Sequence, residues 1–373
     1  MRIGIDARMY DEGGVGRYIK QIIAGLERLS SKDEFYVFVL PSCQWHPTSA
    51  RWHRVETNIR WYTIKEQMFL PFILFKYRLD IMHFPQYNVP LFYNRPFVIT
   101  IHDVIEWERH SDRVTTLPVW WFWIKMKCMR LIWQSAVKRA RKILTVSHWS
   151  KEKIADIFDV RDKITVTYLG VDQLIASKRQ RHPGNFLLYV GTAYPHKNLE
   201  FLVNNFRSLL TRFPYLNLTL VGDFNFFYQR LEQYAVGLGL LICHRPPTPA
   251  DNGMVCFTSK VSDDTLSQLY ATALVFVMPS LEEGFGLPPV EALLAGCPVM
   301  SSNASCLPEI LQNQALFFDP YSQQDFMVKF GNFLEGKQKY EQLAMESEAI
   351  FLSRFSWERC VSKTYEAYQQ TGT

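Results

Sequence analysis

The stretch Val275-Phe276-Val277-Met278-Pro279-Ser280-Leu281-Glu282-Glu283-Gly284-Phe285-Gly286-Leu287-Pro288-Pro289-Val290-Glu291-Ala292 decides how this chain is read. Its first four residues are a short apolar run of the kind that forms a buried strand, and the Pro288-Pro289 pair suits the first turn of a helix. Two glycines in between let the backbone come close to a ligand, and the N–H groups of a helix start attract anionic oxygens. Glu283 stands just before the expected helix and Glu291 about two turns inside it. Two carboxylates can therefore meet two different parts of one ligand.

Outward from this unit, short β-branched runs alternate with helical patterns, as in a doubly wound parallel sheet. Strands are expected at Ile3–Ile5, Tyr36–Leu40, Ile81–Phe84, Phe97–Ile101, Lys142–Val146 and Ile164–Thr167, then at Leu187–Gly191, Asn217–Val221, Val275–Met278 and Pro298–Ser301. The series restarts near Arg181-His182-Pro183-Gly184, which reads as a linker. The expectation is an α/β chain of two Rossmann-like domains, 1–180 and 181–352. Trp357, Val361, Tyr365 and Tyr368 follow the cap candidate Ser356 at helical spacing, so 353–373 is expected as a closing helix that packs back on the first domain.

Composition agrees with a folded two-domain protein: 373 residues, 48% hydrophobic and 21% charged, with no low-complexity tract. The seven cysteines are scattered and never spaced Cys-x-x-Cys, which argues against a disulfide framework or a zinc site. The amino terminus alternates like a strand and lacks a signal-peptide core, so a cytoplasmic location is expected. The longest apolar runs, Met68 to Phe75 and Pro118 to Ile124, are far short of the roughly 20 residues that span a bilayer. Residues 1–180 hold 28 Lys/Arg against 18 Asp/Glu, net +10, whereas residues 181–373 hold 13 against 18, net −5. The basic half could face phosphates or an anionic membrane; no helix-turn-helix or RNA-binding motif accompanies it, so nucleic acid is not an expected partner.

Through Glu283, Gly284, Phe285, Gly286, Leu287 and Glu291, and on through Ala295-Gly296-Cys297-Pro298-Val299 and Leu307-Pro308-Glu309-Ile310, the chain resembles the retaining glycosyltransferases of the Glu-x7-Glu family, family 4-like, with the GT-B fold. That resemblance implies two Rossmann-like domains facing across a cleft. It also implies that Glu283 holds donor-sugar hydroxyls and Glu291 the ribose. Upstream, Tyr189-Val190-Gly191-Thr192-Ala193-Tyr194-Pro195-His196-Lys197-Asn198 is a strand, a turn and a helix start, similar to the family's diphosphate-binding segment. Lys197 carries over as the diphosphate ligand, with Thr192 and His196 standing where some members carry arginine. Val261, before Ser262-Asp263-Asp264, matches the approach to the nucleotide-base pocket. The Asp pair suits helix capping, and no Asp-x-Asp motif occurs in the chain, so no metal is expected.

In the first half, Gly13-Gly14-Val15-Gly16-Arg17 follows the first strand where the family has a glycine-rich loop, with Gly14 and Gly16 toward the donor phosphates. Together with Ile3-Gly4-Ile5-Asp6-Ala7-Arg8 it resembles a bacterial mannosyltransferase subgroup. His102 ends a strand, where open α/β sheets place ligands, and the family has a His there that reaches the donor sugar. Asp103 could orient it or cap the next turn. Val146-Ser147-His148-Trp149-Ser150 resembles the family's Val-Ser-x-x-Ser segment, with Ser147 expected to line the acceptor side and Ser150 to cap a helix.

The activity implied is metal-independent, retaining transfer of a hexose from a nucleotide sugar, GDP-mannose first and a UDP-hexose second, to a glycan or lipid-linked glycan. His102, Glu283 and Lys197 would be its catalytic groups, with no cofactor beyond the donor. An epimerase or hydrolase of the nucleotide sugar, or a non-catalytic peripheral membrane protein, would share these motifs. Residues 120–142 read as an amphipathic helix, with Trp121, Ile124, Cys128, Leu131 and Ser135 on a packing face and Trp120, Trp123, Lys127, Arg130, Gln134, Lys138 and Arg141 on a face suited to an anionic membrane. That would make the protein peripheral on the inner face of the plasma membrane. The oligomeric state is not legible.

Overall fold

A computed structural model describes residues 1–108, 119–171 and 183–372; residues 181 and 182 of the expected linker, and the side chain of Trp121, lie outside the described residues. The chain forms two compact units, one of Met1–Gly170 with Phe355–Thr373 and one of Val171–Arg354.

The first unit is built on seven parallel strands: β1 (Arg2–Asp6), β2 (Glu34–Val39), β3 (Trp52–Glu56), β4 (Ile81–Phe84), β5 (Phe97–Ile101), β6 (Lys142–Thr145) and β7 (Ile164–Val166), in the order β3-β2-β1-β4-β5-β6-β7. Among the described residues, five helices connect them: α1 (Gly13–Arg28), α2 (Ile64–Lys76), the short α3 (Ile105–Glu108), α4 (Val119–Arg139) and α5 (His148–Phe158). α1 buries Tyr18, Ile19, Ile22, Ile23 and Leu26, an i, i+3, i+4 stripe that drives its docking on the sheet.

The second unit repeats the plan with β8 (Phe186–Val190), α6 (Leu199–Leu210), β9 (Asn217–Val221), α7 (Phe226–Gly237), β10 (Leu241–Cys243), β11 (Met254–Thr258), α8 (Asp263–Thr272), β12 (Val275–Met278), α9 (Leu287–Leu294), β13 (Val299–Ser302), α10 (Leu307–Leu311), β14 (Leu316–Phe318), α11 (Gln323–Glu335) and α12 (Lys337–Arg354). Its order is β10-β11-β9-β8-β12-β13-β14, again all parallel. Parallel strands are covered by helices on both faces, which is why their sequences read as continuous apolar runs.

The terminal helix α13 (Trp357–Thr371), capped by Ser356, belongs to the first unit. Gly25 of α1 lies against Val361, and Gly170 lies so close to Trp357 that a Cβ would collide with its indole and backbone. Tyr365 donates to Asp33 at 2.5 Å, so α13 is tied to the first unit by both packing and hydrogen bonding.

Four strands were not legible in the sequence. β3 (Trp52-His53-Arg54-Val55-Glu56) mixes polar and apolar residues on an edge, β10 and β14 are runs of only three residues, too short to stand out although apolar, and β11 was passed over although it is an apolar run. Cys243 and Cys256 are register partners on β10 and β11 and form a disulfide, a pairing that the scattered spacing, read as arguing against a disulfide framework, did not show. The expected packing face of α4 is also corrected. Its buried side chains are Met126, Trp133, Ala136, Val137 and Ala140 just beyond it, while Ile124, Cys128 and Leu131 are exposed. The small Ala136 and Ala140 let the helix approach the sheet closely, and a helix apolar on several sides does not show in sequence which stripe that will be.

Candidate active site

In an open α/β sheet, ligands bind beyond the carboxyl ends of the strands where the strand order reverses. In the second unit that reversal falls between β8 and β12. The loops leaving these two strands carry Lys197 and Glu283, and they meet: Lys197 Nζ donates to both carboxylate oxygens of Glu283, at 2.7 and 2.8 Å. Both side chains are mostly shielded from solvent, so the pair is little screened.

The loop geometry behind this pair is fixed by contacts far apart in sequence. Lys197 closes a 3-10 turn, Pro195–Lys197, after which Asn198 adopts a left-handed conformation (φ 58°). The Asn198 amide donates to the carbonyls of Pro279, at 3.2 Å, and Pro320, at 3.0 Å, and Leu281 N–H donates to the His196 carbonyl at 2.8 Å. Glu283 N–H donates to Ser305 Oγ at 3.1 Å. Before Thr192, Gly191 takes φ 151°; Tyr228 donates to the Gly191 carbonyl and Tyr189 to that of Thr192, each at 2.8 Å. Burial pushes both phenols up, so they remain protonated donors. Asn198, Ser305, Tyr189 and Tyr228 were not singled out as support in sequence, because nothing local marks a residue whose partner lies on another loop.

Gly286 caps α9 at φ 82°, a conformation glycine adopts without strain, and a Cβ there would press on Leu307. Phe285 beside it is buried, and Gly284 and Leu287 flank the turn. Pro288 and Pro289 follow Leu287 in the first turn, so of those three positions Leu287 alone has an N–H. Glu291 is buried on α9 and accepts from Tyr270 OH at 3.2 Å. Val261 is half-buried immediately before Ser262, whose hydroxyl accepts from Thr265 N–H and caps α8; the acidic pair sits in that first turn, as capping chemistry expects.

In the first unit, α1 starts at Gly13. A Cβ on Gly14 would meet nothing within 4 Å, whereas one on Gly16 would run into the Tyr10 and Met9 carbonyls. Gly16 is thus required by packing, and Gly14 leaves open space. The strand end before the loop is locked by Arg8, whose guanidinium donates to Asp6 at 2.8 and 2.7 Å and to Glu66 at 2.5 Å.

His102 follows β5 with its ring edge-on to Tyr18, centroids 4.8 Å apart. Nε2 is buried with no hydrogen-bond partner among the described residues, and the Pro85 backbone lies close enough to act on the ring. Burial lowers its pKa to about 4, only partly offset by the Pro85 backbone, so the ring is neutral at pH 7. A neutral imidazole keeps one nitrogen as an acceptor, and the unpartnered Nε2 can serve as it. Asp103 accepts from Ile105 N–H at 3.1 Å, the geometry of a turn cap. Ser147, not Ser150, caps α5: Ser147 is fully buried and accepts from Ser150 N–H, while Ser150 lies inside the helix, equally buried, and donates to the His102 carbonyl at 3.4 Å. A fully buried hydroxyl lines no open surface.

Comparison with known proteins places this geometry. Residues 171–349 match glycosyl transferases group 1, and residues 12–173 match glycosyltransferase family 4. An O-antigen chain mannosyltransferase of Salmonella typhimurium is 29% identical over 66% of this chain and 62% of its own length. O-antigen chain mannosyltransferase B of Escherichia coli is 27% identical over 79% of this chain and 75% of its own. Among solved structures, the sucrose-phosphate synthase of Thermosynechococcus elongatus superposes with a TM-score of 0.74 at 18% identity, covering 99% of this chain and 98% of that one. The two family matches meet where the compact units divide, and on that agreement the chain belongs to the GT-B glycosyltransferases of group 1 and family 4.

Proposed function

We propose that the protein moves a mannose from GDP-mannose, with retention and without a metal, to a glycan or lipid-linked glycan; a UDP-hexose is the second choice of donor. The observation that carries this reading is the Lys197–Glu283 pair at the strand-order reversal of the second unit. Each partner holds the place of a donor group. When a nucleotide sugar enters, the diphosphate takes over Lys197 and the sugar hydroxyls take over Glu283, while Glu291 holds the ribose. The mannosyltransferase names of two relatives support mannose as the sugar.

In the reaction, the bond from C1 to the diphosphate breaks and Lys197 stabilises the negative charge that develops on the leaving oxygens. An acceptor hydroxyl oxygen then bonds C1 on the same face and passes its proton to the departing phosphate. Glu283 faces Lys197 and is read as a hydroxyl ligand rather than a nucleophile, which favours this internal return. His102, neutral and with Nε2 unpartnered, accepts from a substrate hydroxyl. A lipid-linked acceptor would bring the chain to the inner face of the plasma membrane.

Transfer from GDP-mannose to a mannose-terminated oligosaccharide, in excess EDTA, tests the reading. An α-linked product by NMR is expected. A β-linked product, a requirement for added Mg²⁺ or Mn²⁺, or donor turnover equally fast without acceptor would each overturn part of it, the last in favour of a hydrolase or epimerase.

A further inference from the structure

Among the described residues, every large hydrophobic side chain of the first unit that is exposed lies between residues 64 and 131. Four stand on α2: Ile64, Met68, Phe69 and Phe72, the last 67% exposed, with Ile64, Met68 and Phe72 at i, i+4, i+8 on one stripe. Two more, Leu91 and Phe92, occupy the loop after β4, and Trp120, Trp123, Ile124 and Leu131 stand on α4.

These three segments form one layer. Leu70 and Leu74 of α2, Val89 and Tyr93 of the loop, and Trp133 and Val137 of α4 share one buried core cluster. Phe75 of α2 stacks on Tyr93, with centroids 5.6 Å apart, and Arg139 of α4 donates to the carbonyls of Tyr93 and Pro90. Leu91 N–H donates to Gln67 Oε1 of α2 at 3.0 Å. The loop is therefore pinned to both helices, and its two apolar side chains are displayed beside theirs.

The charge on the layer has one sign. α4 carries Lys125, Lys127, Arg130, Lys138 and Arg139 and no acidic residue; α2 carries Lys65 and Lys76, and its lone carboxylate, Glu66, is buried against Arg8. A protein partner would need an apolar face rimmed by acid, and a second copy of this surface would set cation against cation. An anionic bilayer supplies both an apolar interior and negative headgroups, and indoles settle at headgroup depth.

We infer that α2, the 91–92 loop and α4 together form a docking surface for an anionic lipid bilayer. This deepens the lipid-linked acceptor reading, and it rests on exposure and charge rather than on the donor assignment. The apolar side chains insert to headgroup depth and the basic side chains bind lipid phosphate, so the attachment is reversible and salt-sensitive. No helix among the described residues is long and apolar enough to cross a membrane.

The test uses the full chain with phosphatidylcholine vesicles, with and without phosphatidylglycerol, in co-sedimentation and tryptophan fluorescence. Sedimentation and a blue-shifted emission are expected with phosphatidylglycerol alone, both weakened by salt. Replacing Lys125, Lys127, Arg130 and Lys138 by Gln should lower the partition coefficient by on the order of 10²–10³-fold. The pair Phe72→Ser and Phe92→Ser, both at exposed positions that leave the fold intact, should lower it by roughly tenfold or more. Neither set should alter transfer to a soluble acceptor, and donor binding without vesicles reports separately on the sugar-transfer reading. Equal sedimentation with neutral vesicles, none with either, or a concentration-dependent dimer abolished by the same substitutions would overturn the inference, the last by showing that a second copy covers the surface.

Discussion

In the second unit the site holds a full charge pair, Lys197 against both oxygens of Glu283, whereas in the first unit His102 is kept neutral by burial and its Nε2 has no partner among the described residues. The first arrangement stores charge that a charged substrate can exchange; the second offers a lone pair without charge. Stabilisation of a leaving diphosphate belongs with the former and orientation of a hydroxyl with the latter. The two should respond differently to mutation and to pH.

The largest difference is expected in turnover. Lys197→Ala and Glu283→Ala should each lower kcat by ~10²–10³-fold, the usual effect of losing one group that meets developing charge. Because Lys197→Ala leaves a shielded carboxylate without its counterion, it should also destabilise the fold by about 2 kcal/mol, and the double substitution should restore much of that stability without restoring activity. Urea unfolding beside initial rates checks both. Near-wild-type rates in either single variant would break the comparison.

Next in size is the acid limb. His102 and His83 have folded pKa values lowered by burial to about 4 and about 3, beneath the ordinary 6.5 of an unfolded chain. The unfolded state therefore binds more protons across that window, and the stability these neutral rings contribute is complete above pH 6.5 and is lost as pH falls toward 4. For His102 alone the loss is roughly 3 kcal/mol. Unfolding curves at pH 7 and pH 5 should show His102→Gln with a shallower pH dependence than wild type. A kinetic inflection near 6.5 that disappears in His102→Gln would contradict a neutral acceptor.

On the proposed function Glu291 binds ribose and does not meet developing charge, so with Glu291→Ala KM for the donor should rise by about tenfold or more while kcat changes little. The smallest effect is at Ser147→Ala. Loss of the α5 cap should cost about 1 kcal/mol and move KM and kcat little, because Ser147 is buried at a helix start. A strong acceptor KM effect would return Ser147 to the substrate side.

How far the sequence could be read follows the range of each interaction. The placement of Lys197, Glu283 and His102 just after strands, and of Glu291 on the helix that follows, was legible because each of those elements is marked locally in the sequence. The double-wound plan was legible for the same reason, since a buried parallel strand is an apolar run. Asn198 bonding Pro320, Ser305 receiving Glu283 N–H and Cys243 facing Cys256 depend on registers that only the folded sheets create. On α4 the sequence offered apolar residues on several faces, and only packing against β5 and α5 selected the stripe from Met126 to Ala140. Ser147 and Ser150 show the same limit on a smaller scale: three residues apart, either could cap, and the start of α5 at His148 decided it.

The central claim is that a nucleotide sugar opens the Lys197–Glu283 pair. Calorimetric titration of wild type, Lys197→Ala and Glu283→Ala with GDP-mannose, UDP-glucose and the free nucleoside diphosphates, all in EDTA, tests it most directly. The account predicts that wild type binds one nucleotide sugar, GDP-mannose first, that Lys197→Ala loses affinity for both sugar and free diphosphate, and that Glu283→Ala loses affinity for the sugar nucleotide alone. Equal affinities in all three proteins, or no binding of any nucleotide to the wild type, would contradict it.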